Sequence, residues 1–102
     1  MAYKIEWSYQ SLADMQKVIE YLIIHWSYKI ADEFEEITLS RLQRLSEAPL
    51  TGILSIVDEN VRSILLTKHN RLYYRYKENI ITVLNIFDTR QNPTKNKFEQ
   101  ED

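Results

Sequence analysis

A chain of 102 residues fits one domain, and 44% hydrophobic against 27% charged residues is a globular mix, neither disordered nor membrane-spanning. There is no cysteine, which excludes disulfides, thiol chemistry and thiolate metal sites, and the single glycine, Gly52, excludes a Gly-rich phosphate loop. The formal charge of −2 conceals two opposed halves: residues 1–48 carry five Lys/Arg against eight Asp/Glu, residues 49–98 carry eight against four, and Glu99, Glu101 and Asp102 are acidic.

Tyr3 to Trp7 alternates, with Tyr3, Ile5 and Trp7 on one face, which predicts a short strand. Ser8 or Ser11 can then cap a helix over about residues 9–26. Its stripe is Leu12, Met15, Ile19, Leu22 and Trp26, widened by Val18 and Ile23. A second stripe, Ile30, Phe34, Ile37, Leu42 and Leu45, follows Ser27-Tyr28. A link that short predicts an antiparallel helical hairpin. The outer face of the second helix is acidic early (Asp32, Glu33, Glu35, Glu36) and basic late (Arg41, Arg44), as the helix dipole favours. Pro49 and Gly52 end it.

Beyond Gly52 the pattern turns to β. Val61–Thr67, Arg71–Tyr76 and Ile80–Phe87 are rich in β-branched and aromatic residues, with Lys68-His69-Asn70 and Glu78-Asn79 as turns. Ile53 to Val57 reads equally as a lead-in strand or a packed loop. Alternation puts Leu72, Tyr74 and Tyr76 on one face, expected against the helices, and Arg71, Tyr73 and Arg75 on the other, expected open. The result is an α+β fold of order β-α-α-β-β-β, an antiparallel sheet against an N-terminal helical hairpin. Residues 1–98 are read as one domain and 99–102 as an acidic tail, with mobility expected at the end. The longest apolar run falls far short of the roughly 20 residues a bilayer helix needs. The start of the chain lacks the pattern of a secretory leader, so no membrane partner and a cytoplasmic location are expected.

Arg62, Lys68, Arg71, Arg75 and Lys77 put five positive charges into positions 61–77 with no acid among them. Such a patch suits an anionic partner, a nucleic acid or an acidic protein segment. The overall pI near 5.7 speaks against broad, non-specific nucleic-acid binding. Tyr73, between Arg71 and Arg75, is the natural interface anchor, because interfaces favour Tyr and Arg. The two histidines, His25 and His69, have no acids around them at metal-ligand spacing, so no metal and no cofactor are expected.

A strand and helical hairpin, then Ala48-Pro49-Leu50-Thr51-Gly52, Val61-Arg62, Asn70-Arg71-Leu72-Tyr73-Tyr74-Arg75 and a strand ending Phe87-Asp88-Thr89-Arg90, resemble the RelE/ParE toxin superfamily over about residues 3–95. The resemblance implies the toxin half of a type II toxin–antitoxin module, with a cognate antitoxin as partner in a hetero-oligomer and a role in plasmid stabilisation or stress response. Its RelE-type members cut mRNA on the ribosome; its ParE-type members poison DNA gyrase and are not nucleases. Carried over by position, the nuclease arginines fall on Arg71 and Arg90. One strand lysine falls on Arg62, which keeps the charge, and the other on Ile64, which does not. The C-terminal tyrosine falls near Asn96, with only Phe98 close by. Arginine binds phosphate but stays protonated, so His69 is the one nearby candidate for moving a proton, unless Glu47 swings in. The arginines can equally pair with Asp58, Glu59 or Asp88. The expected function is therefore ParE-like binding of gyrase. The alternatives are a metal-independent, ribosome-dependent mRNA endonuclease using Arg62, Arg71, Arg90 and His69, or a degenerate toxin that only binds antitoxin.

Overall fold

The computed structural model describes residues 2–90 and 97–98. The chain runs β1 (Lys4–Trp7), α1 (Tyr9–His25), α2 (Tyr28–Glu47), β2 (Ile53–Leu54), β3 (Val61–Thr67), β4 (Asn70–Lys77) and β5 (Ile80–Asp88). The strands form one five-stranded sheet in the order β1-β5-β4-β3-β2. From β2 to β5 it is an antiparallel meander, whereas β1 joins β5 in parallel, from Lys4 opposite Ile80 to Trp7 opposite Val83. The α+β order expected from periodicity is therefore present, with a mixed rather than purely antiparallel sheet.

Local chemistry sets the boundaries. Ser8 is the residue that caps α1, its Oγ accepting from Ser11 N at 3.1 Å. Ser27 caps α2 in the same way through Ile30 N. Both turn residues between β4 and β5, Glu78 (φ 54°) and Asn79 (φ 66°), adopt the left-handed backbone that a tight hairpin of matching twist requires. The Ile53 to Val57 segment resolves into two paired residues, Ile53 and Leu54, followed by a loop.

The helices cover one face of the sheet. Phe34, Leu42, Leu45, Leu66, Leu72, Tyr74, Ile81, Val83 and Ile86 form the main core, with Met15, Val18, Ile19 and Leu22 of α1 packed against it. Core positions on β5 are spaced by two and then by three residues. The register shifts between Tyr73 and Tyr74, so Leu84 is an extra residue that turns Ile86 back to the core. Beyond the end of β1, α1 takes over the outer edge of β5: Ser8 Oγ donates to Leu84 O, and Asp14 accepts from Ile86 N, both at 2.9 Å.

Both predicted helical stripes overran the core. Leu12 and Trp26 of the first are exposed, and Ile30 and Ile37 of the second sit at its margin, while Ala31 and Thr38 are buried instead. A stripe records which way residues point but not where the sheet beneath them stops. No helix among the described residues is long and apolar enough to cross a membrane.

Candidate functional site

The arginines picked out by sequence do not converge. Arg62 lies opposite Tyr74 in the β3–β4 ladder, on the helix side. Its Nη1 donates to the carbonyls of Gly52 (2.9 Å) and Leu50 (3.3 Å), so it ties down the loop before β2. Arg71 points to the other face, where its Nη1 donates to Ser63 Oγ at 3.0 Å. Cross-strand partners share a face, and Ser63 pairs with Tyr73, so Arg71, Ser63 and Tyr73 lie together there. Ile64, at the position of a lost strand lysine, packs against the main core.

Arg90 sits just past β5 and is held by Asp88. Its Nε and Nη2 meet the two carboxylate oxygens at 3.0 and 2.9 Å, and its backbone N–H donates to Oδ1 at 2.9 Å. This hydrogen bonding holds the Asp88 carboxyl below its ordinary range and the Arg90 guanidinium above its own. The backbone of His69 is tied in beside them, its carbonyl accepting from Thr89 N at 2.9 Å. Glu47 closes α2, whose last turn is bound to the start of β1 through Tyr3 N to Ser46 O at 2.7 Å. Since β1 starts opposite Ile80, that is the end of β5 remote from Arg90. Asn96 lies outside the described residues.

A depressed carboxyl pKa contributes stability above the unfolded value, and the contribution fades as pH falls through the folded value. Asp88→Asn is therefore expected to lower the melting temperature slightly at neutral pH and to converge with the parent as pH falls below about 4, so that its acid loss of stability is flatter. Both partners are largely open to solvent, whose screening keeps the effect small. An unchanged acid limb would show the pair contributes nothing.

The face expected to be open is partly closed. Tyr73 is only 1% exposed; its ring stacks on that of Phe98 with centroids 5.2 Å apart. Val61, Tyr73 and Phe98 form a second core cluster, with Leu84 and Phe87 against it. Ser55 Oγ donates to the Phe98 carbonyl, and Lys97 Nζ lies 5.1 Å from the Phe98 ring. Tyr73 is thus a buried packing residue, not an exposed anchor. Alternation gave its face correctly but carried no sign that a residue 25 positions later covers it. Arg75 remains accessible on this face and meets Asp58 at 3.8 Å. Arg71 and Arg75 flank a closed aromatic stack, an arrangement able to bind carboxylates.

Sequence reasoning missed a groove of about 1050 Å³ between the hairpin and the far end of the sheet, lined by Tyr21, Leu22, Ile30, Phe34 and Ile37 on one side and by His69, Phe87 and Arg90 on the other. Its signal was present in Ile24-His25-Trp26-Ser27-Tyr28, an apolar turn where polar residues are the rule. Among the described residues no group of His, Cys, Asp and Glu is placed to hold a metal.

A helical hairpin on a five-stranded mixed sheet with β1 parallel to β5 is the RelE/ParE-like fold. The family "ParE toxin of type II toxin-antitoxin system, parDE" matches residues 5–93, and the chain belongs to it. Among solved structures, it is similar to the chromosomal ParDE toxin–antitoxin system of P. aeruginosa, with a TM-score of 0.73 at 15% identity over 87% of this chain and 98% of that one. It also resembles the RelBE2 toxin–antitoxin complex of Mycobacterium tuberculosis (TM-score 0.60, 17% identity, 86% and 99% covered) and the E. coli toxin RelE (0.60, 15%, 88% and 86%). No curated protein sequence matches the chain significantly.

Proposed function

We propose that this chain is a ParE-like toxin that arrests growth by binding DNA gyrase and is neutralised by a cognate antitoxin. The observation that carries the reading is the divergence of the three arginines. Ribose-directed RNA cleavage needs several cations around one phosphate and a group that takes the 2′-hydroxyl proton. Here Arg62 and Arg71 lie on opposite faces of the sheet, and Arg90 is engaged by Asp88. The similarity to a ParDE system supports the same assignment and an antitoxin as partner. An acidic antitoxin segment lying across Arg71 and Arg75 fits the far face, because arginine forks bind carboxylates bidentately.

The test runs supercoiling and ribosome-dependent mRNA cleavage side by side. Inhibited supercoiling with no cut mRNA is the expected result. A defined cut in A-site codons, abolished by Arg90→Ala or His69→Ala, makes the protein an endonuclease instead. Production in bacteria should arrest growth, and co-production of the product of the adjacent small gene should restore it. Normal growth at demonstrated soluble expression leaves only the degenerate, antitoxin-binding reading. Reversing both charges, Arg71→Glu with Arg75→Glu, should weaken that partner's binding by about tenfold or more. Unchanged affinity would move the contact off the far face.

A further inference from the structure

The residue that closes the far face is followed in the sequence by acids. Phe98 lies on the Tyr73 ring with centroids 5.2 Å apart, and its carbonyl accepts from Ser55 Oγ. Ser55 is itself fixed to the sheet, its backbone N–H donating to Val61 O at 2.9 Å. Val61 stands opposite Arg75 in the β3–β4 ladder. The backbone therefore leaves Phe98 beside the Arg75 row, and the next residues in the sequence are Glu99, Gln100, Glu101 and Asp102. Arg71 and Arg75 are four residues apart on one strand, about 13 Å. Four residues of extended chain reach about as far. Three carboxylates are thus tethered within reach of two guanidiniums on one face. A short tether keeps its charges at a high effective concentration, where even a weak ion pair forms.

The charges already on this face leave that pairing open. Arg71 donates to the neutral hydroxyl of Ser63, and no carboxylate among the described residues pairs with it. Arg75 meets a single oxygen of Asp58 at 3.8 Å, a long contact for an ion pair. Glu6, two strands away, is matched by Lys4 at 3.2 Å. Glu59 and Glu78 line a separate pocket with Arg62 and Tyr76, whose side chains face the helices. Lys97 adds a cation next to Phe98. The far face keeps an excess of positive charge, as a carboxylate partner requires.

We propose that residues 99–102 serve as a built-in counter-charge for Arg71 and Arg75, a contact within the chain that an acidic partner has to displace. The displacement rests on the antitoxin reading; the contact does not, so each has its own readout. The contact is read from the side-chain carboxyls of Glu99, Glu101 and Asp102, titrated by NMR at low ionic strength, where screening is weak. In the parent they should titrate a few tenths of a pH unit lower than in Arg71→Gln with Arg75→Gln, because an adjacent cation favours the carboxylate. Carboxyls that titrate alike in both proteins overturn the proposal.

Displacement is read with an oligoglutamate peptide. Glu99→Gln, Glu101→Gln and Asp102→Asn together should tighten its binding several-fold, and should change nothing where Arg71 and Arg75 are replaced by glutamine. Raised salt should erase the difference. A gain that persists without the arginines is general repulsion between like charges and overturns the proposal. If the carboxyls shift as expected but purified antitoxin binds regardless of Arg71 and Arg75, the contact stands and the antitoxin reading alone fails.

Discussion

Tyr74→Ala is expected to destabilise the domain by about 3–5 kcal/mol, the range for a large aromatic removed from a core. Tyr74 is fully buried in the main cluster, and its hydroxyl is a junction as well as a packing group. It donates to Pro49 O at 2.6 Å and accepts from Gly52 N at 3.0 Å, holding the loop that carries the chain from α2 to β2. Burial pushes the phenol above its ordinary pKa, so it stays a donor at any working pH. Gly52 is glycine because the loop passes so close: a Cβ there would stand 2.6 Å from the Tyr74 oxygen and 2.9 Å from Ser63 O. Tyr74→Phe should therefore cost about 1–3 kcal/mol by orphaning two buried groups while keeping the ring. Arg71→Ala, on the far face, should cost under about 1 kcal/mol. Denaturant melts of the three variants check the series. Equal losses from Arg71→Ala and Tyr74→Ala would mean that the strand facing is inverted.

Phe98→Ala is the second large effect, about 3 kcal/mol, or a fall of roughly 10 °C or more in melting temperature for a domain of this size. Phe98 is 8% exposed and closes the cluster of Val61, Tyr73, Leu84 and Phe87 from outside the sheet. Its removal strips the cover from the Tyr73 ring, while the Phe98 carbonyl that accepts from Ser55 Oγ stays in place. Lys97→Ala should cost under about 1 kcal/mol, since a cation above a ring at the surface contributes little. Thermal melts that leave Phe98→Ala within a degree of the parent would show that the far face does not need the segment.

Much of the fold was legible because strands and helices write their facing into short-range periodicity. Tyr74 toward the helices and Arg71 away from them follow from alternation along β4 alone. A serine cap on α1 follows from a side-chain oxygen at Ser8 or Ser11, of which the structure uses Ser8; the matching cap at Ser27 was not read. What could not be read depends on residues remote in sequence. Tyr73 looked open because Phe98 is not its neighbour in the chain. Trp26 looked like core because its angular position is right, although the sheet ends short of it. The bulge at Leu84 sits where the polar positions Thr82 and Asn85 are three apart, a break in alternation too slight to place it among the apolar residues of Ile80 to Phe87. The divergence of Arg62 and Arg71 was implicit in their odd separation across a two-stranded hairpin, but sequence spacing alone does not give the register that turns separation into facing.

The parallel pairing of β1 with β5 governs how the chain can acquire its structure. Residues 4–7 find their sheet partner at residues 80–83. At synthesis rates of about 5–20 residues per second, the first strand waits roughly 4–15 s for that partner to be made. Before then α1 has no β5 edge to receive Ser8 and Asp14, and the hairpin has only a partial sheet to cover. Contacts so far apart in sequence also slow folding once the chain is complete. Any product that stops short of Ile80 lacks the strand on which β1, α1 and β4 all assemble. Such fragments are expected to be digested by proteases, so the domain acquires its structure as a whole or not at all.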